Sequence, residues 1–490
     1  MQTATAWGRR SVYLTCGLVL SAGVYFYRLG KPLGSPEAYS ALAASASSVG
    51  QAIRVALEYD PGKPPLYHLS LHLFAACFGI SETSLRAFSG LWAMATVSLT
   101  YLLGCELFDP ATAVCAAALW ASNPLTFFFA RWARMYTMFI ALSTALFWLL
   151  LRLRRNPDSR ATTAGLALVA TLLLYTHLLA LLFVGAATAI LLRDVFTGRL
   201  ATAPWIALAA ALIVFAPFAP VEVAQGRELL TTHWMDYLGA LSQHSLLTRG
   251  LALALSLALV TGLLMFPRRK SGNEALRFCA VWLFLPVAAM ACGSILIRPM
   301  LEVRYVAPVG PAAALLLAAL LAHWGSKARN LITTALVGLS VATFIPYMQI
   351  TPEPWPQIAQ LVSQHPGQPV IFEKGLTVVH NRRRVDSSVT AFSRGYFRAV
   401  FDYYCHSSNP RLTIDPAAPD LALQILATNV RRAGGGWLIA GRLQSAFELA
   451  RRANLTATRI LGDQEMVLYR IEPTTSRERN GGCAAATEPR

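Results

Sequence analysis

Residues 63–80 read "KPPLYHLSLHLFAACFGI". Whether this stretch crosses a membrane decides the topology of everything after it. The apolar run 64–81 is close to bilayer length. Making it span would turn "RWARMY" (131–136) inward and break an otherwise regular placement of basic loops. With the N-terminus inside and this run lying flat in the outer interface, every inner segment is basic: Arg9/Arg10, Arg152/Arg154/Arg155/Arg160, Arg193/Arg199, Arg268/Arg269/Lys270/Arg277 and Lys327/Arg329. The run therefore reads as an interfacial helix with His68 and His72 on one face at i, i+4. Such a pair is a metal site or, more often, a polar stripe. No carboxylate or cysteine sits beside it in sequence, so no metal is expected.

Working outward, eleven apolar runs read as membrane spans: 11–28, 86–106, 111–130, 135–152, 162–176, 178–193, 203–220, 247–266, 277–297, 306–324 and 329–347. The first resembles a signal peptide and is read as a retained helix, because many spans follow it. Composition agrees: 55% of the 490 residues are hydrophobic and only 14% charged, with a mean hydropathy of +0.47. A polytopic α-helical membrane protein of 11–12 spans is expected. Its formal charge of +17 comes from arginines in short loops, as membrane orientation demands, and not from a nucleic-acid interface.

The chain changes character near residue 350. Domains are drawn at 1–348, membrane-embedded, with a first outer loop at 29–85, and at 349–490, a small extracytoplasmic α/β domain. In the latter "QPVIFE", "GGWLIAG" and "EMVLYRIE" read as strands, and "YFRAVFDYYC" and "QSAFELARRA" as helices. Cys405 and Cys483 form a candidate disulfide if that domain is extracytoplasmic. The other cysteines lie in or beside apolar runs and read as small core residues.

The span centres hold no Asp, Glu, Lys or Arg, which argues against a pump or ion-coupled carrier. Polar groups gather in the outer loops instead. "SPEAYSALAASASSVGQAIRVALEYD" (35–60) reads as one helix with Ser35 as N-cap, Pro36 in the first helical position and Glu37 in the first turn, where a carboxylate suits the helix dipole with or without a catalytic duty. Lys63 is either a phosphate ligand at the start of the interfacial helix or an ordinary interfacial lysine. Arg131 and Arg134, three apart, share a helical face; two arginines there either grip a phosphate or anchor headgroups beside Trp132 and Tyr136. His177 sits at the tip of a helical hairpin, where a lone histidine is more often structural. Arg304 and Tyr305 stand at the head of a span, Arg304 as a further phosphate candidate.

The pieces "EAYSAL", "KPPLYHL", "LRAFS", "ARMY", "YTHL" and "RYVAPVGPA" occur in an order that resembles glycosyltransferase family 39 and its bacterial relatives, the dolichyl-phosphate-mannose protein mannosyltransferase-like and aminoarabinose transferase-like proteins. The resemblance implies a GT-C fold and an enzyme of the bacterial inner membrane. Such enzymes move a sugar, with inversion, from a polyprenyl-phosphate donor to an envelope glycan, lipid or protein acceptor on the outer side. It implies a first-loop carboxylate as base and basic residues that neutralise the departing phosphate. Lys63 matches the lysine of the K-P-P-L motif, Arg134 and Tyr136 match A-R-M-Y, and Arg304 matches the arginine of R-Y. Two positions depart from the family pattern. The first-loop Asp is Pro36 here, and the acid of the second loop is Trp132. Glu37 and Asp60 are left as candidate bases, and metal-independent action is expected, with no cofactor. The alternative is a non-catalytic relative that binds lipid-linked glycan.

Overall fold

The computed structural model describes residues 18–19, 21–60, 63–199, 201–230, 272–296, 301–348, 353–373, 396–414, 418–441, 445–462 and 466–474. The expected span at 247–266 and Cys483 lie outside them, as do residues 11–17 and 20 of the first span. The described residues fall into two compact units. One holds those up to Lys31 and from Ser40 to Met348; the other holds Pro32–Tyr39 and those from Glu353 on.

The expected helix over 35–60 is two helices, α1 (Ser35–Ala44) and α2 (Val49–Tyr59). Serines cause the break. Ser48 is an N-cap whose hydroxyl accepts the Gln51 N–H, and Ser47 donates to the Gln51 side chain at 2.6 Å, so side chains replace the backbone ladder. α3 (Leu66–Phe78) follows. Its 13 residues reach about 20 Å, too short for a hydrocarbon core of about 30 Å. The opening stretch is thus a short helix, as its interfacial reading requires.

Next come α4 (Glu82–Leu107), α5 (Pro110–Ala121), α6 (Pro124–Ala130), α7 (Tyr136–Arg155), α8 (Arg160–Leu174), α9 (Ala180–Phe196), α10 (Thr202–Phe215) and α11 (Ala219–Leu230). After residue 271 follow α12 (Gly272–Leu296), a short α13 (Val303–Val306), α14 (Gly310–Ala322) and α15 (Ser326–Met348). Among the described residues five helices are long and apolar enough to cross a membrane, or six if the bent pair α5–α6 is one span. α8 and α9, with 15 and 17 residues, fall short of a straight crossing. α5 and α6 meet at 60°, where Asn123 caps the Leu125 N–H at 2.9 Å and Pro124 opens the new helix.

α7 is the centre of this unit: 78% of its apolar window is buried. Close packing rests on glycine. A Cβ at Gly104 would lie 2.9 Å from the Ala113 Cα, and one at Gly310 would lie 2.1 Å from the Trp120 ring. The missing side chain lets one backbone meet another at Gly104 and lets the Trp120 ring lie on the backbone at Gly310.

The second unit holds α16 (Trp355–Ser363), α17 (Tyr396–Tyr404), α18 (Pro419–Ala433), α19 (Ser445–Arg452) and a five-stranded sheet. The strands are β1 (Val370–Glu373), β2 (Arg411–Ile414), β3 (Gly436–Gly441), β4 (Leu455–Gly462) and β5 (Met466–Pro473), in the order β2-β1-β3-β5-β4. β2, β1 and β3 run parallel, while β5 is antiparallel to β3 and β4. α18 and α19 bury Leu426, Val430, Leu449 and Ala450 against the sheet. The three strands and two helices read from sequence are present. Cys405 is buried, with its Sγ 3.1 Å from the Ser407 hydroxyl, and has no disulfide partner among the described residues.

Candidate active site

Asp60 caps the C-terminus of α2 and is fully buried, and Lys63 leads into α3. A buried carboxylate is costly unless paired, and Asp60 is paired heavily. Lys63 Nζ donates to its Oδ1. Arg134 Nη2 lies 2.7 Å from its Oδ2, and His68 Nε2 lies 3.5 Å from the same oxygen. Burial pushes the Asp60 carboxyl up, but Arg134 and Lys63 outweigh it and hold the group well below the usual carboxylate range. Burial lowers Lys63 to about 8 against the pull of Asp60, with Arg134 and Arg304 adding repulsion. His68, lowered to about 4 chiefly by burial, is neutral at pH 7.

His68 and His72 turn to different partners. His68 turns to Asp60, a carboxylate distant in sequence from the helix centre, while His72 Nδ1 lies 3.1 Å from the Ala44 carbonyl. His68 is a site neighbour that spacing alone did not reveal.

Arg134 sits in an irregular turn between α6 and α7. Its N–H donates to the Trp132 carbonyl at 2.7 Å, and its own carbonyl accepts from the Ser89 hydroxyl at 3.4 Å. "LRAFS" thus has a use: Ser89 steadies Arg134, while Arg86 donates to the Leu29 carbonyl at 2.7 Å and to that of Lys31. Because 131–135 is not helical, Arg131 and Arg134 share no helical face. Arg131 instead lies over the Phe127 ring at 5.0 Å and donates to the Arg28 carbonyl at 3.4 Å. It joins Arg28, Arg86 and Lys31, where burial and then the crowding of cations lower the Lys31 amine.

The "YTH" tip is tied to the opening stretch, since the Leu66 N–H donates to the Tyr175 carbonyl at 3.1 Å. His177 is buried and stacks on Phe139 at 4.9 Å, with Tyr305 edge-on at 5.5 Å and Tyr136 at 6.4 Å. Its Nδ1 accepts the Leu179 N–H at 3.2 Å, which assigns the ring proton to Nε2. That Nε2 and the Tyr136 hydroxyl are buried without a hydrogen-bond partner among the described residues. Burial, with Lys63 next, lowers His177 to about 3, so it is a neutral donor. Trp132 stacks on Tyr136 at 5.4 Å.

Arg304 lies 2.6 Å from the Glu302 carboxylate and 5.1 Å from the Tyr305 ring. Its charge is felt by Lys63, by Arg134 and by His177. Lys63 and Arg134 therefore meet at Asp60, while Tyr136, His177, Tyr305 and Arg304 form a contiguous set of ring contacts beside them. Glu37 belongs to the other compact unit. There its Oε2 accepts the Gly34 N–H at 2.9 Å, and its own N–H returns a bond to the Gly34 carbonyl.

Residues 62–223 match the family model described as dolichyl-phosphate-mannose-protein mannosyltransferase. Over 96% of its length the chain superposes on 98% of apo ArnT from Cupriavidus metallidurans, with a TM-score of 0.56 at 14% identity. This chain has the GT-C fold. The same ArnT bound to undecaprenyl phosphate gives a TM-score of 0.55 at 12% identity, covering 94% of this chain and 98% of that one. The Archaeoglobus fulgidus oligosaccharyltransferase in complex with Zn and sulfate gives 0.53 at 13% identity, over 93% of this chain and 72% of that one. A search of the curated proteins found no match. Within the GT-C chain, the family match spans Lys63, Arg131, Arg134, Tyr136 and His177; Glu37, Asp60, Arg304 and Tyr305 fall outside it.

Proposed function

We propose that the protein is a membrane glycosyltransferase whose donor is a polyprenyl-phosphate-linked sugar. The convergence of Lys63, Arg134 and Arg304 around buried Asp60 carries this reading. Lys63 and Arg134 pair with Asp60, and Arg304 pairs with Glu302; such a gathering of cations suits a phosphate that gains charge as the sugar leaves. Arg134 offers a planar fork and Lys63 a point charge, the two common ways to hold phosphate oxygens. His177 Nε2–H and the Tyr136 hydroxyl offer neutral donors to the same place. Asp60 is committed to its cations and is a weak base, so its role is to position them. An acceptor hydroxyl attacks the anomeric carbon on the extracytoplasmic side, without metal or cofactor, with inversion. The acceptor is an envelope glycan, lipid or protein, and the setting is the bacterial inner membrane.

A second reading, a non-catalytic binder of lipid-linked glycan, draws on the acids replaced by Pro36 and Trp132 and on the ion-paired state of Asp60. Incubation of the purified chain in nanodiscs with undecaprenyl-phosphate-linked hexoses and pentoses, with membrane extract as acceptor, separates the two. Release of undecaprenyl phosphate supports transfer. Binding of undecaprenyl phosphate with no turnover of any donor supports the binder.

A further inference from the structure

The site as described has three cations and no free carboxylate, yet transfer to a hydroxyl needs somewhere for the proton to go. Glu222, in the first turn of α11, meets that need. The apolar span Thr202–Ala224 that contains it is only 28% buried, and its neighbours Val221, Val223 and Ala224 are exposed. Glu222 alone of these four turns inward, to 2% exposure. Both its oxygens are buried without a hydrogen-bond partner among the described residues. A carboxylate at the end of an apolar span, desolvated and unbonded, is expensive, and such groups mark functional sites.

Contacts of the preceding residues place the start of α11 beside the Tyr175 tip. Phe215, the last residue of α10, and Phe218, in the turn before α11, pack on Tyr175 at 5.3 and 5.6 Å. The Tyr175 hydroxyl donates to the Val214 carbonyl at 3.0 Å, and the Tyr175 carbonyl holds the N–H of Leu66, three residues past Lys63. Lys63 is the cation whose charge Glu222 feels.

Resting on the glycosyltransferase reading above, we propose that Glu222 is the general base of the transfer. A Glu222 oxygen takes the proton of the acceptor hydroxyl as that oxygen bonds to the anomeric carbon. The bond from the anomeric carbon to the phosphate oxygen breaks, its electron pair leaves with the polyprenyl phosphate, and Lys63, Arg134 and Arg304 hold the resulting charge. Sugar and acceptor are joined, and the proton rests on Glu222 until it passes to water. The two carboxylates expected from sequence stay in supporting roles, Asp60 on its cations and Glu37 on the Gly34 N–H.

The experiment uses the full chain in nanodiscs and measures two things: undecaprenyl phosphate binding, and turnover of undecaprenyl-phosphate-linked sugars. Glu222→Gln should bind undecaprenyl phosphate as tightly as the wild type while turnover falls by about a hundredfold or more. In Glu222→Ala, added formate should restore part of the lost turnover, which a packing role would not allow. Full turnover in Glu222→Gln overturns the proposal, as does equal loss of binding and turnover. Wild-type protein that turns over no donor overturns the glycosyltransferase reading itself, and with it the base; that failure shows before any variant is made.

Discussion

α7 joins two clusters of buried charge that differ in kind. At its C-terminal end Arg154 pairs with Asp194 through two bonds of 2.5 and 2.7 Å and reaches Glu274 at 3.0 Å, while Arg199 meets Glu274 at 2.7 Å. Arg193 and Arg277 stand near the same carboxylates, and Glu274 and Arg199 are substantially exposed. At the N-terminal end Asp60 is fully buried and shared between Lys63 and Arg134, with Arg304 close by. The first cluster ties α7, α9 and α12 together at a partly exposed edge. The second centres on a fully buried carboxylate that two cations share. A cluster open to water is screened by it, whereas a buried cluster of perturbed groups is the better candidate for a functional site.

The largest effect should come from removing the hub. Asp60→Ala leaves Lys63 and Arg134 buried without their shared partner and should cost about 3–5 kcal/mol of stability, read as a large drop in the thermal unfolding midpoint in detergent. Glu274→Gln at the other end should cost about 1 kcal/mol or less, because that group is partly exposed. Equal losses would erase the distinction between the clusters.

Next in size is ligand binding. Lys63→Ala should weaken undecaprenyl phosphate by about tenfold or more, the worth of a charge-assisted hydrogen bond, whereas Arg199→Ala should leave it unchanged. Acidity sharpens the point. The Lys63 amine is lowered to about 8, so raising pH through that value removes its proton and its attraction for phosphate. Affinity should therefore be full below pH 8 and decline above it, with the limb moved upward when ligand is bound. Lys63→Arg should flatten that limb, since guanidinium stays charged. The smallest effect concerns the frame: Ser89→Ala removes a 3.4 Å bond to the Arg134 carbonyl and should weaken undecaprenyl phosphate binding by only a few-fold.

What the sequence disclosed follows a physical line. Apolar length and basic loops reveal spans, and short motifs reveal the residues that converge, because Lys63, Arg134, His177 and Arg304 sit at helix ends whose positions the pattern fixes. Long-range pairing left no local trace. His68 looked like half of an i, i+4 pair, yet its partner is Asp60 across a turn. Arg131 looked like the twin of Arg134, yet the chain between them is not helical, so one points to Phe127 and the other to Asp60. The serines at 47–48 that split the first-loop helix were legible as caps, but the surrounding alanines masked them. Glu222 carried a visible signal, an acid at the end of an apolar run, though spacing could not tell which way it turns. β2 and β4 were missed because their exposed edges alternate weakly: β4 is buried at Leu455 but largely exposed or half-buried beyond it.

A cryo-EM structure of the full chain with undecaprenyl phosphate tests the central claim most directly. The account predicts the phosphate among Lys63 Nζ, Arg134 and Arg304, with the Asp60 ion pairs intact beneath it. A phosphate seated instead at Arg154 and Arg199, with the Lys63 cluster unchanged and empty, would contradict it.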